Sequence, residues 1–166
     1  MYDRYADMEK FITDPDKLQI VNGSEVYISS ENDYDIAVDL QGRVEEFERL
    51  KPFIVFVAKS ICELDNTVQK FDSRHSWNRP GGQFQYQIAA VFVDDPYIIL
   101  EYWGTEENTQ FDVVFEHDKG KFLLRSFGTM QDIPENWEEI APADARKQKS
   151  GSPKGFLRKL MEWLSL

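Results

Sequence analysis

The sequence predicts an α+β fold in two layers: a mostly antiparallel sheet, largely a meander, with one long helix packed across a face. Three observations carry this. An apolar stripe at helical spacing runs through the first half of the chain. Four alternating, turn-bounded segments fill the second half. An Asn-Gly hairpin signal lies upstream of both.

The stripe is Phe47, Leu50, Ile54, Val57, Ile61, Leu64, Val68 and Phe71, whose 3-4-3-4 spacing puts all eight on one helical face. Phe53, Val55 and Phe56 widen the apolar surface beyond a coiled-coil seam, so this helix should lie against a sheet. Pro52 interrupts the pattern. A proline inside a helix loses one hydrogen bond and costs about 3 kcal/mol, so either a kink or a fresh helix start near Lys51 is expected.

Upstream, residues 3–13 read as a short helix with Tyr5, Met8, Phe11 and Ile12 on one side, ended by Asp14-Pro15-Asp16. Segments 18–21 and 25–28 flank Asn22-Gly23, the pair that supplies the positive φ angles of a tight hairpin turn. A third extended piece is expected at 35–40.

Downstream of Arg79-Pro80-Gly81-Gly82, Phe84, Tyr86, Ile88, Ala90 and Phe92 alternate with Gln83, Gln85, Gln87, Ala89 and Val91. Asp94-Asp95-Pro96 turns the chain into 97–103. Segments 110–117 and 121–127 follow, separated by a second turn. Consecutive strands joined by short turns pair as an antiparallel meander. The polar stretch 129–142, with Pro134 and Trp137, should wrap the edge of the body.

The organisation expected is one α+β domain over 1–142, a flexible basic linker over 143–154 and an amphipathic C-terminal helix over 155–166. In that helix Phe156, Leu157, Leu160, Met161, Trp163 and Leu164 form an apolar stripe, and Arg158 and Lys159, with Lys154 just before it, carry charge. A twelve-residue helix is marginal alone in water, so these six residues are the candidate partner-binding set. They would dock on the body, a second copy or another protein. A membrane surface is disfavoured, because three or four cations on one short helix hold a bilayer weakly.

Hydrophobic residues make up 42% of the 166, enough to bury a core. The longest purely apolar run, 53–58, is far short of a membrane span. The polar N-terminus shows no secretion signal, and the lone Cys62 permits neither an internal disulfide nor a cysteine zinc cluster. A cytoplasmic location is therefore the default. The net charge is −11. From residue 145 onward six basic residues face one acidic residue, so the tail carries +5 and the rest −16. A body this acidic should repel nucleic acid and suit a basic protein partner, with attraction that weakens in salt.

Chemistry is harder to find. His75, in Asp72-Ser73-Arg74-His75, and His117, beside Asp118, each have a carboxylate nearby, but neither has a nucleophile at a recognised spacing. Both read as surface turn residues. Cys62 reads as an apolar filler on the helix. Glu101, Asp112 and Glu116 fall on paired strands and could gather on one face, where a hydrolase or divalent-metal site is conceivable. No Asp-x-Asp or His-rich motif accompanies them, and the glycines at 81–82 belong to no phosphate loop. No catalytic residue, cofactor site or metal site is therefore assigned.

The stretch Glu101-Tyr102-Trp103-Gly104-Thr105-Glu106-Glu107-Asn108-Thr109-Gln110-Phe111-Asp112-Val113-Val114-Phe115 resembles a hairpin of small bacterial proteins, some grouped with the immunity proteins of polymorphic toxin systems. The likeness covers the strand meander. It implies a protein that blocks a basic toxin by direct binding, without catalysis, and it transfers no catalytic residue. The basic tail departs from a simple acidic blocker. A non-catalytic, immunity-like binding module is the expectation. The alternatives are a small hydrolase or metal-dependent enzyme using His75, His117 or the strand carboxylates, and a protein that self-assembles through its C-terminal helix.

Overall fold

The computed structural model describes residues 11–29, 36–75, 86–104, 110–128 and 132–133, with residues 73–75 described by backbone alone. The hairpin appears as expected. Strands β1 (Ile20–Val21) and β2 (Glu25–Tyr27) are antiparallel. Asn22 (φ 50°) and Gly23 (φ 82°) both take the left-handed backbone in the three-residue loop between the paired Val21 and Glu25. Strand β3 (Ala37–Asp39) adds to β2.

The long helix α1 spans Phe47–His75, preceded by a 3₁₀ turn at Val44–Glu46. It does not restart at Lys51. Pro52 lies inside it, near its N-terminal end, where the ring removes one hydrogen bond. Leu50 and Ile54, on either side of Pro52, are both buried, so the apolar stripe continues across the proline. All eight stripe residues are buried, and Val55 with them. Cys62 is half-buried against the core.

Four further strands follow among the described residues: β4 (Tyr86–Asp94), β5 (Tyr97–Gly104), β6 (Gln110–Asp118) and β7 (Lys121–Phe127). They form the expected antiparallel meander. The seven described strands make one sheet in the order β1 to β7, and among them only β3 and β4 run parallel. A parallel pair needs a long crossover, which α1 provides. Arg43 fastens its start, donating to the Leu40 carbonyl, the Val93 carbonyl and the Asp94 carboxylate.

Two bulges decide which residues face α1. On β4 the register shifts between Ile88 and Ala90, which reverses the alternation read from the sequence. Val91 and Val93 are buried with Ile88, whereas Ala90 and Phe92 are only half-buried. A second bulge lies opposite Val114 and Phe115 on β6, where β7 pairs through Ser126 and Leu124. Bulges insert one residue and turn the following side chains over. The core lies between α1 and the face carrying Ile98, Leu100, Tyr102, Val113, Phe115 and Leu124.

The expected helix over 3–13 is corrected at its described end. Phe11 forms an isolated antiparallel bridge with Ser29, and Ile12 donates to the Ile28 carbonyl. This segment follows the end of β2, and Asp14-Pro15-Asp16 opens a 3₁₀ turn capped by the Asp14 side chain. The rest of that helix, the Arg79-Pro80-Gly81-Gly82 turn, the stretch 134–142, the linker and the C-terminal helix lie outside the described residues. No helix among the described residues is long and apolar enough to cross a membrane.

Candidate functional site

Strand pleating sends alternate side chains to opposite faces, and β5 and β6 divide accordingly. Tyr102, Phe111, Phe115 and His117 point toward α1. Ile99, Glu101, Trp103, Gln110, Asp112, Val114 and Glu116 occupy the second face, over which no described helix lies. This face holds the candidate site.

Glu101 and Asp112 are direct cross-strand partners. Side chains so placed have Cβ atoms about 5 Å apart, and like charges there repel. The Glu101 carboxylate accepts from Trp103 Nε1 at 2.9 Å and from Gln110 Nε2 at 2.6 Å. Four side chains of two strands thus form one polar patch. Trp103 stands at its rim with 53% of its surface exposed. Farther along, Glu116 accepts from Arg125 Nε at 2.7 Å, and Arg125 is the extra residue that the β7 bulge supplies. Between the two groups the apolar floor is closed: Ile99 is 5% and Val114 2% exposed.

Burial raises the Glu101 carboxyl above its ordinary range. The Trp103 hydrogen bond opposes that shift, and the charge of Asp112 adds to it. Burial also raises Asp112. The outer edge of Asp112 remains exposed, but protein fills much of the volume around its carboxyl and displaces water. A carboxyl raised by folding binds its proton more tightly folded than unfolded. Stability therefore falls as pH rises from the ordinary carboxylate range through the raised values, and the full cost is present at neutral pH. Asp112→Asn is expected to stabilise the protein at pH 7 by roughly 0.2–1 kcal/mol. The gain should vanish below about pH 3, where the carboxyl is protonated in both states. Thermal melts of both proteins at the two pH values measure it; an equal or opposite effect at low pH would remove the repulsion argument.

The three strand carboxylates do gather on one face, as their positions allowed. The histidines do not join them. His117 lies within β6 on the opposite face, half-buried against Phe53, Phe56 and Phe122, with ring centroids 5.4, 5.1 and 5.6 Å away. The expectation of a surface turn residue there is corrected, because the turn begins two residues later at Lys119-Gly120. His75 closes α1, and its side chain lies outside the description. Among the described residues no three His, Cys, Asp or Glu side chains converge as metal ligands would.

One buried polar group was not anticipated. Asp65, 2% exposed, accepts from Tyr102 Oη at 3.0 Å and from Gln69 Nε2 at 2.7 Å. The signal was present in the sequence: Asp65, Gln69 and Asp72 sit four and then three residues apart, on the flank of the apolar stripe. The bond from Tyr102 ties α1 to the centre of the sheet. Removing that donor by Tyr102→Phe leaves a buried carboxyl short of a partner and should cost about 1–3 kcal/mol, read as a lower urea midpoint at unchanged slope.

Comparison of the chain with protein-family models, curated proteins and solved structures gives no match.

Proposed function

We propose that this chain is a non-catalytic protein-binding module, immunity-like in character, that holds a basic partner against the second face of its sheet. The observation that carries the reading is the opposed pair Glu101 and Asp112 beside exposed Trp103. Like charges set across from each other destabilise the free protein, and a Lys or Arg side chain placed between them would relieve the repulsion. Tryptophan is among the residues that most often anchor interfaces. Ile99 and Val114 are already buried beside this patch, so the contact surface proposed is the polar patch itself with Trp103 at its rim. The −16 carried by residues 1–144 would steer such a partner over longer range. The resemblance of 101–115 to an immunity-protein hairpin covers these same residues and makes a basic toxin in the cytoplasm the fitting partner class.

The test is capture from native lysate at low and high salt, using the full-length protein and its E101Q/D112N variant. A partner held by the wild type at low salt, released by high salt and lost from the variant is the expected result. Equal capture by both proteins would move binding away from this face, and capture by neither would remove the reading.

A further inference from the structure

Within the polar patch, the capacity to accept hydrogen bonds is divided unequally between the two carboxylates. Both Glu101 oxygens are engaged: Oε1 accepts from Trp103 Nε1 at 2.9 Å and Oε2 from Gln110 Nε2 at 2.6 Å. Across the pair, no donor among the described residues bonds the Asp112 carboxylate, and burial is what raises its carboxyl. Glu101 is half-buried, flanked by three exposed residues: Trp103, Gln110 and Asp112. A donor arriving from outside therefore meets Asp112 first.

Trp103 follows Glu101 by two residues on β5 and so stands diagonally across from Asp112 on β6, about 7–8 Å away. Its N–H edge is tied to Glu101, which holds the ring in place beside the carboxylates. Among the described residues no other ring and no cation stacks on the indole, and 53% of Trp103 is exposed. A bound cation would meet a flat π surface and a carboxylate short of donors together. An ammonium group is a compact, strongly hydrated point charge that serves the carboxylate and makes little use of the ring. A guanidinium is planar and weakly hydrated, stacks on indole faces, and donates two parallel N–H bonds to one carboxylate.

We propose that this patch selects arginine over lysine: a guanidinium of the partner lies on the Trp103 indole and donates to the Asp112 carboxylate. Glu101, held by Trp103 and Gln110, supplies a fixed second charge beside it. The selection names the contact chemistry of the partner and rests on the reading that a basic protein binds this patch.

The blocked tripeptides Gly-Arg-Gly and Gly-Lys-Gly carry equal charge and differ only in the basic side chain. Each is titrated at low salt into ¹⁵N-labelled full-length protein, with the Trp103 indole N–H and the Gln110 side-chain amide as reporters. The arginine peptide is expected to bind about ten-fold more tightly, equivalent to ~1.4 kcal/mol. D112N and W103A, both at exposed positions, should keep the fold in melting curves and bring the two peptides to comparable affinity, read at the Gln110 amide. Equal affinity of the wild type for the two peptides would overturn the proposal, as would an arginine preference that survives in W103A. Shifts confined to other residues, or none with either peptide, would overturn it too. A lysate partner lost from E101Q/D112N, found without an arginine preference, keeps the proposed function and removes only the selection. An arginine preference with no captured partner does the reverse.

Discussion

Phe71→Ala is expected to lower the stability of the protein by about 3–5 kcal/mol, the usual cost of removing a buried phenylalanine ring. Phe71 is 2% exposed near the C-terminal end of α1. Its ring meets Phe127 of β7 at 4.9 Å, Phe127 meets Phe111 of β6 at 5.1 Å, and Phe111 stacks on Tyr102 of β5 at 5.1 Å and 4°. Tyr86 of β4 closes the row with an edge contact to Phe111 at 4.7 Å. Five rings thus join the helix to four strands, and truncating the first leaves a cavity that neighbours held by pairing cannot collapse to fill. Domains are typically stable by only about 5–15 kcal/mol, so the urea midpoint should drop by a large fraction. Phe56, half-buried at the other end of the sheet against Phe122 and His117, should cost less when truncated. A loss below about 1 kcal/mol at Phe71, within the range of surface substitutions and small core trims, would show that the C-terminal half of α1 is not seated on the sheet.

Trp103→Ala has the largest effect expected on binding. More than half of its surface is exposed, so the fold should lose little, within about 0.5 kcal/mol for a surface position. An aromatic anchor at an interface commonly carries 2 kcal/mol or more, which is roughly a thirty-fold loss of affinity. Trp103→Phe separates the two roles of the side chain. It keeps a ring for contact but removes the Nε1–H that holds the Glu101 carboxylate, so intermediate binding is expected. The measurement is a titration of the captured partner against wild type, W103F and W103A, with melting curves for all three. Unchanged affinity in W103A would place the interface elsewhere on the molecule.

The candidate site was legible in part. Glu101, Asp112 and Glu116 could be assigned to one face because strand parity is a local property and the turns between these strands were readable. Trp103 drew no notice, since an exposed tryptophan and a buried one look alike until the partner strand and the covering layer are known. His117 was misplaced by two residues of turn boundary, enough to move it from solvent to an aromatic cluster beneath α1. Asp65 was passed over because a single acidic residue beside an apolar stripe reads as a solvated flank. Its burial depends on Tyr102, 37 residues away in the chain.

Local physics determined much of this protein from the sequence alone. The eight-residue stripe specified α1 and its buried face, Asn22-Gly23 specified the first hairpin, and the short turns between 97 and 127 specified the meander. Each of these signals acts within a few residues, through backbone sterics or a repeat in apolar burial. Tertiary structure decided what depends on distant partners. The parallel seam between β3 and β4 merges hairpin and meander into one seven-stranded sheet, and nothing local to either strand encodes that meeting. The β4 bulge reverses which residues reach the core, because one inserted residue changes parity for all that follow. The pairing of Glu101 with Asp112 is likewise a matter of register, which only the assembled sheet sets, and so the charge repulsion within the proposed interface belongs to the fold and not to either strand.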